Sequence, residues 1–171
     1  MNTNKNIKTL IVKKSLRLDC GKTINNYPIA YETYGALNEK KDNAILVFHA
    51  LTGDQFVTGK NPVTKKDGWW SYLVGPDKAI DTNKYFVICS NVIGGCMGSY
   101  GPSHNDPNTQ EVFGINFPVI TINDMVNAQK NLVDHFGIDK LFSVAGGSMG
   151  GMQVLQFVSN FPEKTKTAIP I

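Results

Sequence analysis

A chain of 171 residues, 42% hydrophobic and 18% charged, is long enough to bury one sizeable core, and none of it reads as a low-complexity tail. Its formal charge of +3 comes from lysines scattered along the chain, with Arg17 the only arginine; there is no basic stripe, which disfavours nucleic-acid binding. Met1 to Lys14 lacks the apolar stretch of a signal peptide, and the longest apolar run, Ala44 to Phe48, is too short to span a bilayer, so a cytoplasmic protein with no membrane partner is expected. The pairs Lys13-Lys14, Lys40-Lys41 and Lys65-Lys66 are expected on solvated loops and strand edges. Cys20, Cys89 and Cys96 are odd in number and lack zinc-ligand spacing, so reduced, packed thiols are expected.

In chain order, Leu10 to Leu18 and Pro28 to Tyr34 alternate apolar and polar residues and predict an antiparallel pair at a sheet edge. Ala44 to Phe48, Tyr85 to Cys89 and Leu141 to Ala145 are continuous apolar runs, the pattern of parallel strands covered by helices on both faces, and Thr167 to Ile171 begins another. Gly68 to Ile80, with Trp69, Trp70, Tyr72, Leu73 and Val74, predicts a short helix. A clearer helix has Ile122, Met125, Val126, Leu132, Val133 and Phe136 on one face, a cap pair at Thr121 and Asp124, and Gly137 at its end. Together these predict an α/β fold, a mostly parallel sheet with antiparallel amino-terminal strands and right-handed crossovers.

The strand Leu141 to Ala145 runs into Gly146-Gly147-Ser148-Met149-Gly150, a G-x-S-x-G nucleophile elbow, in which a strained turn between strand and helix exposes the serine. Met149, Met152, Leu155 and Val158 give the following segment helical apolar spacing, closed by Asn160 and Pro162. The rival, a dinucleotide-binding turn, needs a second glycine where Ser148 stands and an acid about 20 positions on, where Ala168 stands. Two long connections, Thr52 to Asp67 and Asn91 to Pro118, follow carboxyl ends of predicted parallel strands, where open α/β sheets build their sites. The segment His49-Ala50-Leu51-Thr52-Gly53 then falls near Ser148, and the backbone amides of Leu51 and Met149 are the candidate oxyanion donors.

Several ordered motifs coincide: His49 to Asp54; Asn91 to Cys96 with Gly98-Ser99 and Gly101-Pro102-Ser103; Phe117-Pro118-Val119 with Thr121-Ile122 and Asp124-Met125-Val126; and Gly146 to Gly151. From about Tyr27 to Ile171 the chain closely resembles the homoserine O-acetyltransferases of the α/β-hydrolase superfamily. The resemblance implies that Ser148 attacks acetyl-CoA, that the amides of Leu51 and Met149 hold the oxyanion, and that the γ-hydroxyl of L-homoserine takes the acetyl group. The product, O-acetyl-L-homoserine, feeds methionine biosynthesis. Acetyl-CoA is a substrate; no metal or bound cofactor is implied, and members are commonly homodimers.

The family order is nucleophile, acid, histidine, yet after Ser148 the chain offers no histidine and only Glu163 as an acid. Members run roughly twice this length, with the triad histidine and aspartate, the lid and a substrate-binding arginine in their second half. Residues 1–171 are therefore expected to be the amino-terminal part of a single α/β-hydrolase domain, inactive alone and exposing an apolar sheet edge. His49 is expected as a packed ring, His104 as a surface substitution in the Gly-rich loop and His135 as solvent-facing, while Asp54 and Asp106 read as turn formers. Asn123 and Asn127 replace residues often basic in the family. Alternatives are an O-succinyltransferase or serine O-acetyltransferase of the family, although Thr52 and Asp54 lean toward acetyl, a general serine esterase or thioesterase, and a non-catalytic fragment.

Overall fold

The computed structural model describes residues 7–171; the first six residues of the stretch read above as free of a signal peptide lie outside them. In chain order the strands are β1 (Lys8–Val12), β2 (Leu16–Arg17), β3 (Thr23–Ile24), β4 (Tyr27–Tyr34), β5 (Ala44–Phe48), β6 (Val74–Gly75), β7 (Ile80–Asp81), β8 (Phe86–Ser90), β9 (Leu141–Gly146) and β10 (Thr165–Pro170). Helix α1 (Ile122–His135) precedes β9, and α2 (Met149–Asn160) follows it.

Six strands form one sheet in the order β1-β4-β8-β5-β9-β10. β4 pairs antiparallel with β1 and with β8, whereas β8, β5, β9 and β10 run parallel. The antiparallel edge is the predicted one with a correction. Only Lys8 to Val12 pairs with β4; Leu16 and Arg17 leave to form a small separate sheet with β3. From β5 the chain goes to β8 on one side and later to β9 on the other, and a crevice opens at the carboxyl ends where connections diverge in this way.

β5 and β8 are buried along their whole length, as their unbroken apolar runs require. The two faces are covered differently. On one, α1 and α2 pack over Leu46, Phe48, Ile88 and Val144. On the other, Ile45, Val47, Val87 and Cys89 lie beneath Val57, Trp69, Trp70, Leu73, Val74 and Ile80. The expectation of helices on both faces is thereby corrected, as is the short helix over 68–80, which consists of turns and the small β6·β7 pair. Local bonds explain this: Trp69 Nε1 donates to the Asp54 carbonyl at 2.9 Å, and Trp70 N donates to Val57 O at 2.9 Å, so the segment is tied sideways to the 54–57 loop.

α1 starts as its sequence requires. Thr121 Oγ1 accepts from the Asp124 amide at 3.2 Å, and Asp124 Oδ2 accepts from the Thr121 amide at 3.0 Å, a full capping box. Gly137 ends the helix at φ 66°. The predicted apolar face holds, with Val126, Leu132 and Val133 buried and Met125 and Phe136 packed against the core. In α2 the predicted face holds only in part: Val158 packs against the core, but Met152 and Leu155 are exposed, while Gly150, Gly151, Gln153, Val154 and Phe157 are buried. The inner stripe joins two glycines, which permit close approach, to Gln153, Val154 and Phe157. The thiols need a similar correction, because only Cys89 is packed and Cys20 and Cys96 are exposed. The three lysine pairs are exposed, as expected.

Candidate active site

β9 ends at Gly146, and two residues later Ser148 takes φ 58° and ψ −124° before α2 begins. Such a conformation costs a non-glycine residue about 1–3 kcal/mol and persists only where its surroundings impose it. Here Ser148 N donates to Ile171 O at 2.8 Å, Ile171 N donates to Gly146 O at 2.9 Å, and Met152 N donates to Ser148 O at 3.1 Å. The glycines make the turn possible. A Cβ on Gly150 would lie 2.2 Å from the Phe48 carbonyl oxygen, and one on Gly146 would lie 2.7 Å from the Gly150 backbone. Helix, strand and the end of β5 are thus in backbone contact, and Ser148 is left exposed at the carboxyl edge of the sheet.

A cleft of about 500 Å³ opens there, between the 49–53 and 91–120 segments. Its wall includes His49, Leu51, Asn91, Pro118 and Met149, so the cleft brings together the two segments read as oxyanion donors. Among the described residues, neither the Leu51 nor the Met149 amide has an acceptor within the chain. A turn closed by Gly53 N donating to Ala50 O at 2.9 Å fixes the first segment, and a Cβ on Gly53 would lie 2.9 Å from that of His49. Leu51, Ile115 and Val119 are exposed.

His49 is the packed ring expected. Nδ1 bonds the Ala50 carbonyl at 2.7 Å, and Nε2 accepts from the Val92 amide at 3.2 Å and faces Asn91 Nδ2 at 3.3 Å. Since an amide can only donate, Nε2 carries no proton and the proton sits on Nδ1. Burial pushes the ring below its ordinary pKa, against the raising effects of the Ala50 carbonyl and Asp54. Asn91 Oδ1 meanwhile accepts from Met97 N at 3.0 Å, so that Asn91 links the Gly-rich loop to His49 at the end of β5; the sequence marks Asn91 only as part of a motif.

Of the other candidates, His104 alone departs from its expected place. Asp54 caps its own turn through Phe56 N at 2.8 Å and accepts from Asn61 Nδ2 at 2.8 Å, and Asp106 accepts from Asn108 N at 2.8 Å. His135 is exposed, whereas His104, expected at the surface, is half-buried with its ring against Tyr100 and its Nδ1 accepting from Gly101 N at 3.2 Å. Burial, then Asp54, raises the Cys89 thiol far above its ordinary value, so it is inert. Among the described residues no three His, Cys, Asp or Glu side chains gather as a metal site, and no helix is long and apolar enough to cross a membrane.

A family model described as the alpha/beta hydrolase fold matches residues 43–169, from the start of β5 almost to the end of β10. The chain belongs to that family. Among α/β hydrolases, it is 73% identical over 171 residues to a homoserine O-acetyltransferase of Pelagibacter ubique, covering all of this chain and 46% of that protein. Among solved structures, homoserine O-acetyltransferase from Bacillus anthracis superposes with a TM-score of 0.86 at 35% identity over 95% of this chain and 45% of that one. Esterase E22 superposes with a TM-score of 0.86 at 34% identity over 94% and 45%. The chain therefore spans less than half the length of these relatives.

Proposed function

We propose that this α/β hydrolase is the nucleophile-bearing part of a homoserine O-acetyltransferase. Ser148 Oγ attacks the thioester carbonyl of acetyl-CoA, the amides of Leu51 and Met149 hold the oxyanion, and collapse gives acetyl-Ser148 and free CoA. The γ-hydroxyl of L-homoserine then attacks the acetyl-serine, yielding O-acetyl-L-homoserine and restoring the serine hydroxyl. The Ser148 proton needs a base, and His49 cannot serve, because its Nε2 is engaged by the Val92 amide. We assign the base and its aspartate to the length that the relatives have and this chain does not span; alone, these 171 residues are expected to turn over no substrate. The carrying observation is Ser148 itself, exposed in left-handed backbone beside the cleft that Leu51 and Met149 line. A cytoplasmic homodimer serving methionine biosynthesis completes the proposal.

A second reading, hydrolysis of acetyl esters, draws on the equally good superposition of esterase E22. The two differ in the acceptor. Native gene product supplied with acetyl-CoA and L-homoserine should convert the thioester to O-acetyl-L-homoserine with little free acetate. Acetate as the main product, insensitive to homoserine, would overturn the transferase reading in favour of the esterase.

A further inference from the structure

Between α1 and α2, in a seam where Asn160 Nδ2 also donates to Asn123 Oδ1 at 2.7 Å, lie two fully buried glutamines, Gln129 and Gln153. Gln129 Nε2 donates to Gln153 Oε1 at 3.1 Å. Gln153 Nε2 in turn faces two backbone carbonyls, His49 O at 3.2 Å and Met149 O at 3.3 Å. Buried amides are costly to place, and Gln129 Oε1 has no partner among the described residues, so an apolar pair would suit the seam better if packing were its only task. What Gln153 spans is informative. The His49 carbonyl is one residue from the peptide bearing the Leu51 amide, and the Met149 carbonyl is one residue from the peptide bearing the Met149 amide. The same two segments also meet at Gly150, whose Cβ would lie 2.2 Å from Phe48 O and 3.3 Å from the His49 carbonyl carbon.

We infer that Gln153 is a positioning residue, its side-chain amide clamping the carbonyls of His49 and Met149 so that the two oxyanion amides keep a fixed spacing. The inference rests on the roles proposed above for the Leu51 and Met149 amides. Both hydrogens of one NH₂ group are committed, so neither segment can shift without breaking a buried bond. Oxyanion donors act through placement, and an error of about 1 Å can cost roughly 10²-fold. Such misplacement weakens transition-state binding more than substrate binding, so it lowers kcat and leaves KM largely alone.

Steady-state kinetics and thermal unfolding of native gene product carrying Gln153→Met or Gln129→Met test this. Gln129→Met breaks the same seam bond but spares both carbonyl contacts. The expected result is a Gln153→Met enzyme that folds with kcat lowered about 10–100-fold and KM for acetyl-CoA within about twofold, while Gln129→Met loses under about threefold. Equal losses in the two variants, a Gln153→Met kcat within about twofold of the unsubstituted enzyme, or failure of Gln153→Met alone to fold would each overturn the inference, since seam stability would then be the role. An unsubstituted protein that transfers no acetyl group would instead overturn the functional reading, and the inference would fall with it.

Discussion

At Gly150 the neighbour of a new Cβ is backbone, the Phe48 carbonyl oxygen at 2.2 Å, which no rotamer change can relieve. Gly150→Ala should therefore destabilise the protein by about 2 kcal/mol or more in urea unfolding. Gly147 lies in the same motif, but its Cβ would meet nothing nearer than Ile171 at 3.9 Å, and Gly147→Ala should stay within about 0.5 kcal/mol. Similar losses for the two would mean that the elbow does not depend on close approach of α2 to β5. Ser148 was legible from sequence because its motif is short and local, and the φ of 58° is what that pattern requires. Gln153 was not. A lone polar residue inside a helix reads as surface, and the available signal was its place four residues after Met149, on the stripe shared with Gly150, Val154 and Phe157.

Elements that declare themselves through local chemistry emerged as expected: α1 with its capping box, and β5, β8 and β9 with their apolar runs. Those defined by what they pack against did not. Trp69 to Val74 has helix-like apolar content, yet bonds to the 54–57 loop hold it as turns, and α2 turns glycine rather than Met152 toward the sheet. The joint between β5 and the Gly-rich loop hangs on neutral His49, which has a pH consequence. Its folded pKa lies below the ordinary 6.5, so the unfolded chain binds the additional proton on acidification. The ring's contribution is complete above about pH 6.5 and is lost as pH falls below it. Unfolding free energies measured from about pH 7.5 to 5 should decline more steeply for the unsubstituted chain than for His49→Gln, which should also be less stable by about 1–3 kcal/mol at the upper end. Parallel profiles would show that His49 is not the titrating group.

Across the whole molecule, the sheet brings the carboxyl ends of β5, β8 and β9 together and gathers Ser148, the segments of Leu51 and Met149, and the cleft at one edge. That convergence was legible because long connections at strand ends are where such folds place function, although the irregular cover of the opposite face was not. The central claim is that Ser148 carries an acyl group. The most direct test is to mix native gene product with acetyl-CoA in the absence of homoserine, quench in acid, and map acetylation by peptide mass spectrometry. One acetyl group on Ser148, discharged on adding L-homoserine and missing from Ser148→Ala, is the predicted result. A folded protein with Ser148 unmodified, or a Ser148→Ala variant that still forms O-acetyl-L-homoserine at the unsubstituted rate, would contradict it.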